Sequence, residues 1–595
     1  MADQPDQPFS LSAALRAQMV EQLTDLYGPE RGAESFRRLQ HLLEQHAGRR
    51  AVAAAPHRPA LSEHISQADA VLTTYGDQVR APEVAPLHSL ANVLERYFAG
   101  LISTVHLLPF YPATADDGFA VVDHSQVDPA LGTWDDVTAV GQHFRLMFDI
   151  VLSRVAVDSA WFQGFLRGEA PYTDYFIVAD PATDLSQVVH LDERPLLTPF
   201  ETATGTQYVW TTFGPDQVDL NYANPDLLPA MIERLLLYVE RGATILRLTD
   251  IAFLWKEPGT SCMHLPQSHR ILQLVRSVLD AVASEVLLLV DTPGAPAERS
   301  SFIGNGTNEA QLIAQSSLAP LVLQSFAEGN AQPLTEWATG LEPATEGTTC
   351  LNFLDAPDGI DIQVAEELLS AEAIESLAAR TLAHGGHVTY RTNPDGTQRI
   401  STLNITCFDA FSNPHMVEPP TTGMTRFMTA QAMMLAPAGV PGIYIQSLIG
   451  SHNDHAGVAT TGRFQSINRQ KWPQETLEGW LSDAGSHAAQ VLDRYARLLR
   501  ARAGEPAFHP LAPQVVIAGN PALFTLVRGE IGSQVLCIHN VSESTQPLEV
   551  PAVIWGDATT LRDLISGDTI EHPAGATEPL RLEVQPYQTL WLRAV

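Results

Sequence analysis

Apolar residues repeat at helical spacing near the start of the chain and at other spacings later, and these changes divide the chain into three parts. The first repeat consists of Leu11, Leu15, Met19 and Leu23. Gly28-Pro29 interrupts it, and helical spacing resumes to about residue 47, which predicts two helices. The Ala/Pro/His-rich stretch 51–59 is predicted to be a linker, so residues 1–65 are expected to form an N-terminal helical extension with its linker.

Between residues 66 and 504, short apolar runs alternate with helical segments. The candidate strands are 70–75, 104–110, 146–152, 244–248, 286–290, 348–353 and 443–445. This alternation predicts an α/β fold, a parallel sheet with helices outside it. Several strands end at polar residues, where barrel enzymes carry their chemistry.

Two interruptions of this pattern are too long for simple loops. They run from about 155 to 223 and from about 360 to 423, and we expect each to be an inserted subdomain. After about residue 505 the helical period disappears, and short alternating strands follow at 523–527, 534–538 and 589–592. Residues 505–595 are therefore predicted to form a C-terminal β-sandwich domain.

The charge balance excludes several classes of partner. The chain has 35 Lys and Arg against 68 Asp and Glu, a formal net charge of −33. Such a chain repels phosphate backbones and anionic lipid headgroups, so we expect neither nucleic acid nor a membrane as partner. A hydrophobic fraction of 45% is ordinary for a globular protein and excludes disorder.

The cysteines and the N-terminus indicate a cytoplasmic protein. Cys262, Cys350, Cys407 and Cys537 are widely spaced, and we expect buried reduced thiols without a metal. Residues 1–6 show neither the basic nor the apolar region of a signal peptide, and no apolar run reaches membrane-spanning length.

Four sequence motifs carry a resemblance to a known family. They are Val-His-Leu-Leu-Pro-Phe-Tyr-Pro at 105–112 followed by Asp-Asp-Gly-Phe at 116–119, Leu-Trp-Lys-Glu-Pro-Gly-Thr-Ser-Cys at 254–262, Gly-Val-Pro-Gly-Ile-Tyr at 439–444, and Ile-Asn-Arg at 467–469. Together they resemble the branch of glycoside hydrolase family 13, the α-amylase family, that contains sucrose phosphorylase and glucosylglycerate phosphorylase. The resemblance covers almost the whole chain in the same order.

The resemblance implies a fold and a reaction. The fold is a (β/α)8 TIM barrel with two inserted subdomains and a C-terminal β-domain. The reaction is cleavage of an α-glucoside by phosphate through a covalent glucosyl-enzyme, with one carboxylate as nucleophile and a second as acid and base. A third carboxylate stabilises the transition state, and two histidines and an arginine hold the sugar. The implied partners are a sugar or sugar phosphate and phosphate, with no cofactor and no metal; a homo-oligomer stays open.

The chain departs from the family at the nucleophile and at the acid. Where the family has Arg-Leu-Asp-Ala, this chain has Arg247-Leu248-Thr249-Asp250, so Thr249 occupies the nucleophile position. Strand side chains alternate, so Asp250 is expected to point away from the face that Arg247 and Thr249 share, unless a bulge re-aims it. Asp291 occupies the position of the family's glutamate acid.

The sugar-holding residues also change. The family's His-Asp pair is Pro357-Asp358 here, so the stabilising carboxylate is kept as Asp358 and its histidine is lost. The second histidine corresponds to Arg154, and near the end of the barrel Gln465 replaces an arginine while Arg463 remains. Asp116, Arg154, Arg247, Pro357 and Arg463 are accordingly the predicted ligand-binding positions. The predicted pocket has shifted toward positive charge, which favours an anionic or differently shaped ligand.

Three functions follow as hypotheses. The loss of the nucleophile and of both histidines favours a catalytically impaired or inactive paralogue, a pseudoenzyme that binds a sugar or regulates carbohydrate metabolism. The retained acids favour an active α-glucoside phosphorylase or glucosyltransferase with a rewired centre that uses Asp291 and Asp358, or Asp250. The third hypothesis is a structural partner of an active homologue.

Overall fold

Eight parallel strands close into a barrel, each paired with the next along the chain and the last paired with the first. The computed structural model describes residues 9–50, 58–191, 194–342, 345–392, 396–550, 554, 558–571 and 579–595. The barrel strands are Val71–Thr74, Thr104–Leu107, Arg145–Val151, Ala243–Thr249, Leu287–Asp291, Leu312–Gln315, Thr349–Asn352 and Val440–Tyr444. The prediction of a (β/α)8 barrel is confirmed. The sequence pattern accounts for seven strands, and the sixth, Leu312–Gln315, is too short for its spacing to be distinctive.

The inward-facing positions of the barrel change from apolar to polar along the strands. Because side chains alternate, every second residue points inward. At the amino-terminal end of the strands these residues form an apolar layer that includes Val71, Met147, Ile245 and Leu289. Further along the same faces, polar residues follow: Thr73, His106, Asp149, Arg247 and Asp291. The same alternation that fills the core therefore delivers polar groups to the carboxyl ends of the strands.

Helices surround the barrel and link its strands. Those of the barrel region are Leu61–His64, Pro86–Phe98, Trp134–Gly141, Ala160–Leu166, Leu227–Glu240, Pro266–Val282, Pro296–Ser301, Leu318–Glu328, Gln332–Thr339, Ala371–Ala383, Cys407–Phe411, Pro420–Leu435, Ile445–Leu448, His455–Thr461, Gln474–Ser482 and His487–Ala503. Within the described residues, every helix is too short or too polar to cross a membrane.

The N-terminal extension is a helical hairpin on the outside of the barrel. Its helices, Ala13–Tyr27 and Pro29–Arg50, meet at Gly28, which adopts a φ of 77°. They pack against the barrel helices Pro266–Val282 and Leu227–Glu240. The predicted linker at 51–59 lies mostly outside the described residues, because 51–57 are not among them.

Two inserts and a C-terminal domain complete the chain. The first insert is closed by Arg154–Ala156, which pairs antiparallel with Gln217–Asp219, and contains the hairpin Leu197–Thr202 with Gly205–Trp210. The second contains a sheet of Ile360–Asp361, His387–Thr392 and Gln398–Asn404. The C-terminal domain is a sandwich of antiparallel strands: Gln514–Ile517, Leu523–Arg528, Val535–Asn540, Gln546–Val550, Thr560–Asp563, Thr569–Glu571, Leu580–Val584 and Thr589–Ala594. The domain boundaries at about 65 and 505 stay predictions.

A buried arginine holds the seam where the first and last barrel strands meet. Arg502, at the end of His487–Ala503, is 1% exposed. Its guanidinium donates to the backbone carbonyls of Gln67 and Asp69, before the first strand, and of Leu435 and Gly439, before the eighth. One side chain thus satisfies four carbonyls that burial would otherwise leave without donors.

Replacing this arginine is expected to destabilise the fold. Arg502→Met keeps an apolar stem but removes every donor, and we expect a loss of about 3 kcal/mol because the buried carbonyls lose their partners. The midpoint of thermal unfolding measures the change. The matched control is Arg500→Met, an exposed position on the same helix, with an expected change within about 0.5 kcal/mol. Equal midpoints for the two variants would contradict the role given to Arg502.

Candidate active site

A cavity opens at the carboxyl ends of the barrel strands. Residues from most of the strands and the loops that follow them contribute to its lining. The polar and charged lining residues are Thr73, Tyr75, His106, Asp117, Arg247, Asp291, Asp355, Asp358 and Arg469. This is the end of the barrel at which enzymes of this architecture place their chemistry.

Asp149 lies beneath the cavity and organises its floor. The carboxylate is fully buried; one oxygen lies 2.9 Å from His106 Nε2 and the other accepts from Arg247 Nη1 at 2.8 Å. Burial alone would raise the pKa of Asp149, but Arg247 and His106 hold it below its usual value. His106 Nδ1 in turn lies 3.3 Å from Thr73 Oγ1, which extends the network to the first strand.

Arg247 joins this buried carboxylate to the cavity. Its Nη2 donates to Asp291 Oδ2 at 2.6 Å, while Nη1 binds Asp149. Although burial opposes the positive charge, the two carboxylates raise the pKa of Arg247 above its already high value. The guanidinium is therefore a fixed cation that orients Asp291.

Thr249 ends the fourth strand next to Asp291. The two residues are register partners, and Thr249 shares the strand face of Arg247. Its side chain is buried, and no described residue forms a hydrogen bond with Oγ1. No base in the described part of the chain is therefore hydrogen-bonded to this hydroxyl.

Asp250 is turned away from the cavity. Its backbone has a φ of 55°, and its amide donates to the Asp291 carbonyl at 3.2 Å. The carboxylate accepts from Arg154 Nη1 at 2.7 Å. Arg154 is itself buried, donates to Gln217 Oε1 at 2.6 Å, and lies 3.6 Å from the centre of the Phe213 ring. Arg154 thus binds Asp250, and this ion pair lies next to the strand pair that closes the first insert.

Two arginines and two aspartates form a charged cluster at the mouth. Arg469 forms ion pairs with both Asp117 and Asp358, and its Nε donates to the Pro357 carbonyl at 3.1 Å. Arg463 forms a second ion pair with Asp117 and is partly exposed. The Asp358 carboxylate is 71% exposed, so this cluster faces an entering ligand.

Asp355 is a further carboxyl in the cavity wall. Ser447 Oγ donates to one of its oxygens at 2.9 Å and Asn468 Nδ2 to the other at 2.8 Å. Burial raises the pKa of Asp355 to about 7, and these hydrogen bonds only partly oppose the shift. A carboxyl that titrates near neutral pH in a cavity is typical of functional sites.

The structure brings together some of the predicted site residues and not others. Arg247, Asp291, Pro357 and Asp358 line the cavity. Thr249 is the register partner of the lining residue Asp291, and Arg463 forms an ion pair with the lining residue Asp117. Arg154 instead donates to Asp250. The backbone of Asp116 begins a short turn, Asp116–Gly118, but its side chain lies outside the described residues.

Six polar residues of the cavity lining are absent from the sequence-based set: Thr73, Tyr75, His106, Asp117, Asp355 and Arg469. The buried Asp149, which contacts His106 and Arg247, is absent from it as well. His106, Asp117 and Arg469 lie inside motifs that carry the family resemblance, and this was the signal in the sequence that could have identified them. Asp149 lies two residues before the end of the third strand and Asp355 three residues after the seventh, and a count of polar residues near strand ends would have included them. Within the described ranges, no three His, Cys, Asp or Glu residues are arranged to hold a metal ion.

Comparison with known families and proteins places the chain among glycoside-active enzymes. Residues 95–335 match the catalytic domain of α-amylase. The chain is 45% identical over 537 residues to a glucosylglycerate phosphorylase of Allomeiothermus silvanus, covering 90% of this chain and 94% of that one. It is 39% identical over 581 residues to a glucosylglycerate phosphorylase of Spirochaeta thermophila, covering 96% and 98%. An Escherichia coli glucosylglycerate phosphorylase is 34% identical over 533 residues, covering 89% and 93%.

A solved structure supports the fold. Sucrose 6F-phosphate phosphorylase from Thermoanaerobacter thermosaccharolyticum superimposes with a TM-score of 0.70 at 21% identity, covering 88% of this chain and 99% of that chain. At this identity the similarity concerns the architecture alone.

The interpretation of the chain as an impaired or inactive paralogue is wrong. Relatives 34–45% identical over nearly the whole chain are phosphorylases, and nothing in the comparison indicates inactivity. The interpretation gave decisive weight to a few motif positions. The cavity nevertheless keeps several carboxylates, and the buried pair of Asp149 and Arg247 fixes the orientation of Asp291.

Asp355 is expected to make the protein less stable as the pH rises toward neutrality. Its folded-state pKa of about 7 lies above the unfolded value of about 3.9, so the folded state binds the proton more tightly between these limits. The contribution of this proton to the free energy of unfolding is at most roughly 4 kcal/mol. It is fully present below about pH 4 and is lost by about pH 7.

Asp355→Asn removes this titration. We expect its thermal midpoint to rise relative to that of the wild type as the pH increases from 4 to 7. Asp158→Asn, at an exposed carboxylate, is the matched control and should follow the wild-type profile. Parallel profiles for wild type and Asp355→Asn would contradict the prediction.

Proposed function

This chain belongs to the sucrose phosphorylase and glucosylglycerate phosphorylase branch of the α-amylase family, and from that premise we propose that it is an active phosphorylase of α-glucosides. The observation that carries the proposal is the identity of 34–45% to three glucosylglycerate phosphorylases over 89–96% of this chain. Glucosylglycerate is accordingly the first substrate to test. A cytoplasmic location is part of the proposal, supported by four cysteines that form no disulfide.

Asp291 is proposed as the acid that protonates the departing oxygen. It lies in the cavity at the end of the fifth strand, and the 2.6 Å contact with Arg247 fixes its orientation. A positioned carboxyl of this kind contributes about 10²–10⁴-fold to such a step. Asp358, across the mouth cluster, is proposed to stabilise the positive charge that develops on the sugar ring.

The mouth cluster is proposed to recognise the negative end of the substrate. Glucosylglycerate carries a carboxylate on the group that leaves. Arg463 and Arg469 are both paired with Asp117, and Arg463 is the more exposed of the two. An arginine guanidinium binds a planar carboxylate with two parallel hydrogen bonds, which suits it to this role.

The proposal predicts phosphate-dependent cleavage that requires Asp291. Purified protein with glucosylglycerate and phosphate should release glucose 1-phosphate and glycerate, measured by coupled assay and chromatography. Asp291→Asn should lower kcat by about 10²–10⁴-fold because the departing oxygen loses its proton donor. The exposed Asp158→Asn variant should retain wild-type rates. Absence of phosphate-dependent cleavage with glucosylglycerate, glucosylglycerol and sucrose alike would refute the proposed function.

Arg463 is expected to discriminate between charged and neutral substrates. Arg463→Gln should raise KM for glucosylglycerate by about tenfold, the loss of one exposed charge-assisted contact, and leave KM for glucosylglycerol nearly unchanged. Arg96→Gln, at an exposed arginine paired with Glu478 on an outer helix, is the matched control and should change neither value. A change of equal size for both substrates would show that Arg463 does not recognise the carboxylate.

A further inference from the structure

Two aromatic rings form a stack beside the mouth of the cavity. The ring centroids of Phe464 and His387 lie 4.4 Å apart, and their planes are within 3° of parallel. Phe464 is 43% exposed, although a phenyl ring gains much from burial. We propose that this stack, the aromatic platform, binds a second sugar ring attached to the departing group of the substrate. The inference rests on the proposed function and extends the class of substrate beyond glucosylglycerate.

Phe464 begins a short 3₁₀-helix that is anchored to the cavity at both ends. The helix runs from Phe464 to Asn468 and directly follows Arg463. Arg463 forms an ion pair with Asp117, which lines the cavity. At the other end, Asn468 Nδ2 donates to Oδ1 of the lining residue Asp355 at 2.8 Å. The backbone that carries the Phe464 ring is therefore fixed relative to the cavity.

His387 is connected to the mouth through the sheet of the second insert. Its register partner across that sheet is Asn404. Asn404 Nδ2 donates to the backbone carbonyl of Asp358 at 2.8 Å, and Asp358 is a member of the mouth cluster. Asn404 Oδ1 accepts from Thr389 Oγ1 at 2.6 Å, which orients the amide. The two rings thus come from different parts of the chain, and each is tied to the mouth cluster.

The aromatic platform is uncharged at neutral pH. Burial lowers the pKa of His387 below its usual value, and the nearby His455 lowers it further. A flat, neutral, apolar surface suits a sugar ring, whose C–H bonds form an apolar face while its hydroxyls lie at the edge. Phosphate and carboxylate groups would instead be attracted to the arginines of the mouth cluster.

Arg463 joins the aromatic platform to the proposed position of the departing group. Its guanidinium is proposed above to bind the carboxylate of glycerate, and Phe464 is the next residue along the chain, about 3.8 Å away between Cα atoms. A ring attached to the departing group would extend past Arg463 and meet the platform. Polar residues, Arg463 and Gln465, flank the exposed phenyl ring, and apolar surface with a polar rim is typical of binding sites.

Calorimetric titration of the full-length protein with maltose and maltotriose, in the absence of phosphate, tests the aromatic platform. Maltose presents one ring in the place of glycerate, and maltotriose adds the second ring. We expect maltotriose to bind about tenfold more tightly than maltose, the contribution of one stacked ring. Phe464→Ala should abolish this difference, whereas Phe464→Tyr should keep it because tyrosine retains the flat ring.

Trp480→Ala is the matched control, at an exposed aromatic residue on the outer helix Gln474–Ser482, and should leave both affinities unchanged. Equal affinities of the wild type for the two sugars, or no binding of either, would overturn the inference. A tenfold difference that survives in Phe464→Ala would overturn it as well. Failure of the proposed function is a separate result, because it appears as the absence of phosphate-dependent cleavage of glucosylglycerate.

Discussion

The buried carboxylate of Asp149 is the constraint on which the rest of the site depends. A charge fully removed from water is tolerated only when positive and hydrogen-bonding partners surround it. His106 and Arg247 supply these from the second and fourth strands, and Arg247 carries the arrangement on to Asp291 on the fifth. The second to fifth strands are thereby linked by one buried network. The orientation of Asp291 is fixed by this network in the absence of any ligand.

The sequence allowed much of the architecture to be predicted, for physical reasons that apply residue by residue. Runs such as 104–110 and 244–248 are largely buried and therefore read as mostly apolar segments. The helical hairpin followed from the break at Gly28 and Pro29. The four residues Leu312–Gln315 escaped prediction because a strand of that length carries no distinctive period.

The site was less predictable, because function there depends on partners that are distant in sequence. That Arg154 would meet Asp250, and that Asp355 would be buried between Ser447 and Asn468, follows from tertiary packing and from no local pattern. The inference of inactivity failed for a related reason: it rested on the joint change of a few motif positions, such as Thr249, without the network that surrounds them. Identity of 39–45% to phosphorylases over nearly the whole chain weighs more than these few positions. The chemistry has to be understood through the network of Asp149, Arg247 and Asp291.

The seam held by Arg502 has a consequence for the growing chain. One edge of the first strand, Val71–Thr74, is covered only by the eighth strand, Val440–Tyr444. That pairing forms only after the eighth strand and Arg502, which holds the junction, have been synthesised. At roughly 5–20 residues per second of synthesis, that edge stays open for tens of seconds. An uncovered strand edge is a template for unwanted pairing. During synthesis the first strand of this barrel therefore presents an edge that can pair with other chains until the eighth strand covers it.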